Sequence, residues 1–199
     1  MAFLVSGVES LRQSLLKQPG IAFQGETRAN LPSAAVAMIL KQSDHQDDLE
    51  ALFVKRRAIE SDPWSGHMAL PGGRSHPNDT SALLTAAREV LEETNIDLAK
   101  CEILGALDEV VPGNVSIRVT PFVAFASGPV EVKLNEAELT DYFWIPMSYL
   151  RDKQNLSTYS IERFGKQVQV PSYRYLGQHI IWGMTLKIIE DFLSKTGSS

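Results

Sequence analysis

Between Gly73 and Ile96 the chain reads GRSHPNDTSALLTAAREVLEETNI, and no other segment restricts its fold as tightly. Each residue of a helix advances by about 100°. With Glu89 set at zero, Glu93 falls at about 40° and Glu92 at about 300°, so the three carboxylates share one narrow face. Leu83, Leu84, Ala87, Val90, Leu91 and Thr94 occupy the opposite side, which predicts a helix from about Ser81 to Thr94 with a buried apolar stripe and an exposed acidic one. Glu89 and Glu93 form a like-charged i, i+4 pair, costing a few tenths of a kcal/mol in isolation. Only Arg88 stands nearby to offset them. A divalent cation resolves the repulsion, because carboxylate oxygens suit Mg²⁺ or Mn²⁺. An acidic face that merely meets solvent is the competing account of the glutamates taken alone. Upstream, Pro71-Gly72-Gly73 is a stiff turn with two residues lacking Cβ, where backbone approaches a ligand or metal closely.

The rest of the chain predicts a mixed α/β protein. Val8 to Lys17 has helical spacing and stops at Pro19-Gly20. Ala34 to Leu40 and Leu49 to Lys55 read as a strand pair, followed by a turn-rich stretch from Asp62 to Asp79. Strands are expected at 102–107, 117–126 and 142–145, a short helix at 148–152, a hairpin at 157–170 and a last helix at 179–194. Without strict βαβ alternation this argues for a mixed sheet with helices on its faces, in a single domain over 1–199. Net charge is −5, so bulk electrostatics favour neither nucleic acid nor an acidic membrane surface. A polyanionic substrate must then be held by a few placed cations or by metal. The single cysteine, Cys101, excludes an intrachain disulfide and reads as structural. With no signal-like N-terminus and no run approaching the roughly 20 apolar residues of a membrane helix, a cytoplasmic location is expected.

The glycine turn and the helix together resemble the box of the Nudix hydrolases, G-x5-E-x7-R-E-U-x-E-E-x-G-U with U aliphatic. Gly73 is its glycine, Arg88-Glu89-Val90-Leu91-Glu92-Glu93 its core and Ile96 its last aliphatic position. Asp79 stands for the first glutamate, one residue is added before Arg88, and Asn95 replaces the final glycine, a mild change because asparagine also tolerates the left-handed helix cap. The added residue and the aspartate resemble the coenzyme A pyrophosphatase-like branch. Val119-Thr120-Pro121-Phe122-Val123, the Glu138–Pro146 segment and Ile181-Trp182-Gly183-Met184-Thr185 are similar to further segments of that branch. Before the box, Trp64 and His67 stand where that branch has histidine and glutamine, which keeps ADP-ribose and nucleoside diphosphate sugars open as substrates.

The resemblance implies an α/β/α sandwich and metal-assisted attack of water on phosphorus. It implies Glu89 and Glu93 as metal ligands, Glu92 for a further ion, and the backbone carbonyls of Gly72 or Gly73 beside them. Glu92, Glu93 and Glu138 are the candidate catalytic carboxylates, with Glu136 a further candidate base. Arg88 is expected to orient the glutamates, and Asp79 to cap the helix or support the metal shell. Arg57, Arg74 and Arg118 are candidates for substrate phosphate, Trp64 and His67 for the organic moieties. Trp144 and Trp182 are expected in the core. The expected cofactor is Mg²⁺ or Mn²⁺ and the expected partner a small nucleotide, with neither nucleic acid nor membrane; self-association as a homodimer is compatible with the chain. A Nudix-fold nucleotide-binding regulator without turnover is the alternative of another class.

Overall fold

The computed structural model describes residues 2–16, 32–44, 47–58, 66–112, 116–163 and 165–197. After helix α1 (Ala2–Leu16) come strands β1 (Ser33–Gln42), β2 (Leu49–Arg56), β3 (Met68–Ala69) and β4 (Gly72–Arg74), then helix α2 (Ala82–Thr94). Strands β5 (Glu102–Ala106), β6 (Arg118–Ala126) and β7 (Leu139–Pro146) follow, then helix α3 (Met147–Arg151). The chain finishes with β8 (Leu156–Arg163), β9 (Lys166–Tyr175), β10 (His179–Trp182) and helix α4 (Gly183–Thr196). No helix among the described residues is long and apolar enough to cross a membrane.

β1 is the hub of a mixed sheet. Its run SAAVAMILKQ is buried on both faces through its middle, as a central strand requires. It pairs in parallel with β6 from Ser33↔Arg118 to Lys41↔Ala126. Its other edge is shared: Leu40 to Gln42 pair with β2, whereas Ala34 to Val36 pair with β4. β2 then continues alone, paired with β3 at Val54↔Ala69 and with β7 along its other edge. The sheet therefore forks between β1 and β2, and the turn from β3 to β4 fills the fork, held by the Ala37 amide donating to the Pro71 carbonyl at 2.9 Å.

The two faces of this sheet carry separate cores. Ala35, Ala37, Ile39, Leu52, Phe122 and Ala124 lie under α2 with Ala86 and Val90. Val36, Met38, Phe53, Val123 and Ile145 pack on the opposite face with Leu11 and Leu15 of α1 and with Ile189 and Phe192 of α4. Helices cover both faces of a mixed sheet, as expected. A second sheet, β10-β9-β8, is antiparallel and lies beside β3.

Five expectations need correction. The last helix starts at Gly183, because His179 to Trp182 alternate buried and half-buried with the period of a strand. The hairpin is longer than 157–170, and the N-terminal helix begins before Val8. Trp144 and Trp182 are half-buried rather than core; the Lys41 ammonium sits 5.2 Å from the Trp144 ring centre. Finally, α2 is rolled relative to the helical-wheel assignment. Its sheet-facing row is Ala86, Val90 and Glu93, while Leu84 and Leu91 are exposed. The sheet beneath presents alanines at 35, 37 and 124, so small residues let the helix approach closely.

Candidate active site

Helix α2 starts where Ser81 accepts the Leu84 amide at 3.2 Å, satisfying one of the first-turn donors that have no intrahelical partner. It ends at Asn95, whose φ of 60° makes the left-handed cap and sends its N–H to the Leu91 carbonyl. Between these caps the roll of α2 pushes Glu93 inward. Its residue is 3% exposed, so it is not on an open face as the helical wheel suggested. The Gly72 amide donates to Glu93 Oε2 at 2.9 Å. Burial pushes the Glu93 carboxyl up to about 7, against the lowering effect of the Gly72 bond and of Arg56; Glu138 and Glu89 raise it further.

Glycine at 73 lets the Glu89 carboxylate lie against the turn. A Cβ there would lie 2.3 Å from Glu89 Oε2. At Gly72, φ is +140° and a Cβ would lie 2.3 Å from the Ala35 carbonyl oxygen. The turn is thus pressed between β1 and the two glutamates, with its backbone beside both carboxylates.

Arg88 organises the outer part. It forks onto Asp79, Nε to Oδ1 at 3.1 Å and Nη2 to Oδ2 at 2.9 Å. Its Nη1 reaches Glu89 at 2.8 Å and Glu92 at 3.1 Å, and Nη2 also donates to the Arg74 carbonyl. Asp79 therefore does not cap α2; Ser81 does. The Arg88 fork and the His76 amide hold the Asp79 carboxyl well below the usual carboxylate range. Glu92 is exposed.

Glu138 arrives on the loop before β7. The stretch before it docks on the end of α2, with the Lys133 amide on the Thr94 carbonyl and the Asn135 amide on the Glu93 carbonyl, both at 2.9 Å. Asn135 Nδ2 donates to Glu138 Oε1 at 3.0 Å, and Glu138 itself is exposed. Arg57 ties this loop to β2: its amide donates to the Glu138 carbonyl, and its guanidinium to the Glu136 carbonyl at 3.0 and 2.5 Å. A cleft of about 440 Å³ opens here, lined by Arg57, Leu134, Glu136 and Tyr142 among others.

Two of the arginine candidates are placed differently. Arg118 Nε lies 3.4 Å from Glu109 Oε1, which commits that guanidinium to a carboxylate. Arg74 is exposed, and its backbone carbonyl, not its side chain, is joined to Arg88. Trp64 lies outside the described residues. His67 stands next to the site, its carbonyl accepting the Arg56 amide at 3.1 Å.

Arg56 was missed by sequence reasoning. Alternation along β2 puts it on the side of Leu52, beneath α2, and that signal was available once Leu52 was assigned to the α2 core.

Hard oxygen donors on Glu89, Glu92, Glu93 and the Gly73 carbonyl fit Mg²⁺ or Mn²⁺ in kind. The fit is supported by the missing Cβ at Gly73, which leaves room for the Glu89 carboxylate against backbone. Among the described residues, no three acidic, histidine or cysteine side chains are gathered as a metal cluster; Glu89 is turned to Arg88 instead.

Comparison with known proteins agrees with this layout. The NUDIX domain model matches residues 31–163. A Photorhabdus laumondii protein named as the Nudix hydrolase NudL is 36% identical over 140 residues, covering 69% of this chain and 73% of that one. A Schizosaccharomyces pombe protein is 39% identical over 106 residues, 50% of this chain but only 32% of its own length. A solved MutT/nudix family protein from Enterococcus faecalis superposes with a TM-score of 0.61 at 17% identity, over 94% of this chain and 73% of its own, a likeness of fold alone. The forked sheet, the glycine turn against Glu89 and Glu93, and the matched span lead to one assignment: the chain belongs to the Nudix hydrolase family.

Proposed function

We propose that this hydrolase uses Mg²⁺ or Mn²⁺ to cleave the diphosphate of a nucleoside diphosphate linked to a second organic group. The observation that carries the reading is the backbone of Gly72 and Gly73 pressed against Glu93 and Glu89, one hydrogen-bonded and the other excluding any Cβ. Glu89, Glu92, Glu93 and the Gly73 carbonyl would hold the metal. When bound, the ion polarises the phosphate oxygens and lowers the pKa of water.

The chain's own groups do the rest. Glu138 is an exposed carboxylate at the edge of the site, so it is the proposed acceptor of the proton from the attacking water. The water oxygen bonds to phosphorus, the P–O bond to the bridging oxygen breaks, and two phosphate monoesters leave. Arg56 offsets the charge of Glu93, and Arg88 keeps Glu89 and Glu92 aligned. A coenzyme A-type substrate is favoured by the box spacing and the Trp182-Gly183 segment; ADP-ribose or a nucleoside diphosphate sugar is the second choice, favoured by Trp64 and His67.

The test is a mass-spectrometric panel of coenzyme A, ADP-ribose, UDP-glucose, diadenosine polyphosphates and nucleoside triphosphates, run with Mg²⁺, with Mn²⁺ and in chelator. Phosphate monoester products that vanish in excess EDTA and return with either ion are expected. Full turnover by metal-free protein would defeat the reading.

A further inference from the structure

The second sheet meets the first at β3, and the meeting places three aromatic rings together. Tyr159 of β8 is opposite Val170, and Trp182 of β10 is opposite Ser172. Val170 and Ser172 are two apart on β9 and share a face, so Tyr159 and Trp182 share it as well. Their ring centres are 6.0 Å apart. His67, from the first sheet, stands edge-on to both, 5.2 Å from Trp182 at 84° and 6.1 Å from Tyr159 at 79°. All three are half-buried. The other face of the same sheet sends Tyr173 and Ile181 into the main core, so the ring-bearing face is not needed to hold the sheet down. Beneath it, Ser172 is fully buried and its hydroxyl has no hydrogen-bond partner among the described residues.

Arg56 links this aromatic wall to the acidic site. The Arg56 amide donates to the His67 carbonyl, and the Arg56 charge acts on Glu93. On the opposite flank the Arg57 amide donates to the Glu138 carbonyl. His67 stands five positions before Gly72, at most about 18 Å of extended chain. The family model matches residues 31–163, so β9, β10 and Trp182 lie beyond the matched span.

We infer that His67, Tyr159 and Trp182 form the seat of the substrate's nucleobase, which stacks on the rings of Tyr159 and Trp182. The inference rests on the proposed two-sided diphosphate substrate and names the part of the protein that holds its nucleoside arm. Stacking on aromatic side chains accepts any base, because every base has a π-face. Edge-on contact from His67 fixes the tilt of the rings and keeps them from closing on one another.

The test uses the full chain without metal, titrated by NMR with ADP, UDP and ribose 5-phosphate. Nuclear Overhauser contacts between base protons and the rings of Tyr159 or Trp182 are expected for at least one of the two nucleotides. Tyr159→Ala should raise the Kd for that nucleotide about tenfold or more, leave ribose 5-phosphate unchanged, and raise KM and lower kcat for the cleaved substrate, as lost positioning does; Tyr159→Phe should behave as wild type. Absence of base contacts for both nucleotides in wild type overturns the inference even if Tyr159→Ala fails to fold. Equal weakening of ADP and ribose 5-phosphate in a folded Tyr159→Ala also overturns it. Turnover without base contacts would leave the proposed function standing and remove the seat; base contacts without turnover of any two-sided diphosphate would do the reverse.

Discussion

Glu93 ties stability to chemistry. Its folded carboxyl titrates at about 7 against about 4.5 when unfolded, chiefly because it is buried. Folding therefore binds an extra proton between those values. Its contribution to stability is fully present below the unfolded pKa and is lost as pH rises through about 7. Without metal, Glu93→Gln should be more stable than wild type at pH 8, by on the order of 1–3 kcal/mol, and the gap should close towards pH 4.5. Thermal unfolding at both pH values checks this; a gap independent of pH would remove the buried charge as its cause. The same substitution should lower kcat at least about a hundredfold with metal present, since it removes transition-state charge stabilisation. Asp79 has the opposite sign. Its folded carboxyl is depressed by Arg88, so its contribution is present above the unfolded value and is lost as pH falls through the folded one. Asp79→Asn should thus lower Tm at pH 7, with the difference shrinking below pH about 4. An equal Tm difference at pH 3 and pH 7 would mean that the ion pair is not what stabilises this corner.

At the scale of elements, adjacent glycines separate fold from site. Alanine at 72 would meet the backbone of β1, the Ala35 oxygen at 2.3 Å and Val36 Cα at 2.5 Å, with φ in the left-handed region. At 73 the three atoms nearest to an added Cβ all belong to the Glu89 carboxylate, the movable end of a side chain. Gly72→Ala should leave little folded protein at 37 °C, whereas Gly73→Ala should fold with a Tm within a few degrees of wild type and lose most activity as Glu89 is displaced. Circular dichroism and product formation on both variants decide it; an active Gly73→Ala would show that Glu89 works from another position. These elements also show what the sequence made legible. Ser81 and Asn95 marked both ends of α2, and the box spacing brought the glycine turn to its carboxylates. The roll of α2 was not legible, because a helical wheel gives angles within the helix but not which row meets the sheet; the alanines of β1 and β6 decide that. β10 was hidden for a similar reason. Four residues of alternating burial before an amphipathic helix read as its first turn until β9 is present to pair with them. Arg118, a phosphate candidate by charge alone, is paired with Glu109, a partner that spacing along the chain could not reveal.

Across the whole molecule the site is a junction rather than a pocket in one element. The fork of the first sheet supplies the glycine turn, α2 the carboxylates, the loop before β7 Glu138, and the second sheet the aromatic wall. A cleft of about 440 Å³ beside Arg57 and Tyr142 adds a further surface on the Glu138 flank. Walls on two flanks of one acidic centre suit a substrate with organic groups on both sides of its diphosphate, because remote contacts on each arm position the reacting phosphorus. A nucleoside triphosphate fills only one flank and carries an unanchored phosphate towards the other. We therefore expect kcat/KM for the best two-sided diphosphate to exceed that for ATP or dGTP by at least about tenfold, equivalent to about 1.4 kcal/mol of transition-state binding. The second arm should be responsible: replacing ADP-ribose or coenzyme A by ADP should cost kcat as well as KM, as lost positioning does. Steady-state kinetics on this series measure both. If dGTP or ATP were cleaved tenfold more efficiently than every two-sided diphosphate, the second wall would have no substrate group to hold, and the site would be built around a terminal phosphate instead.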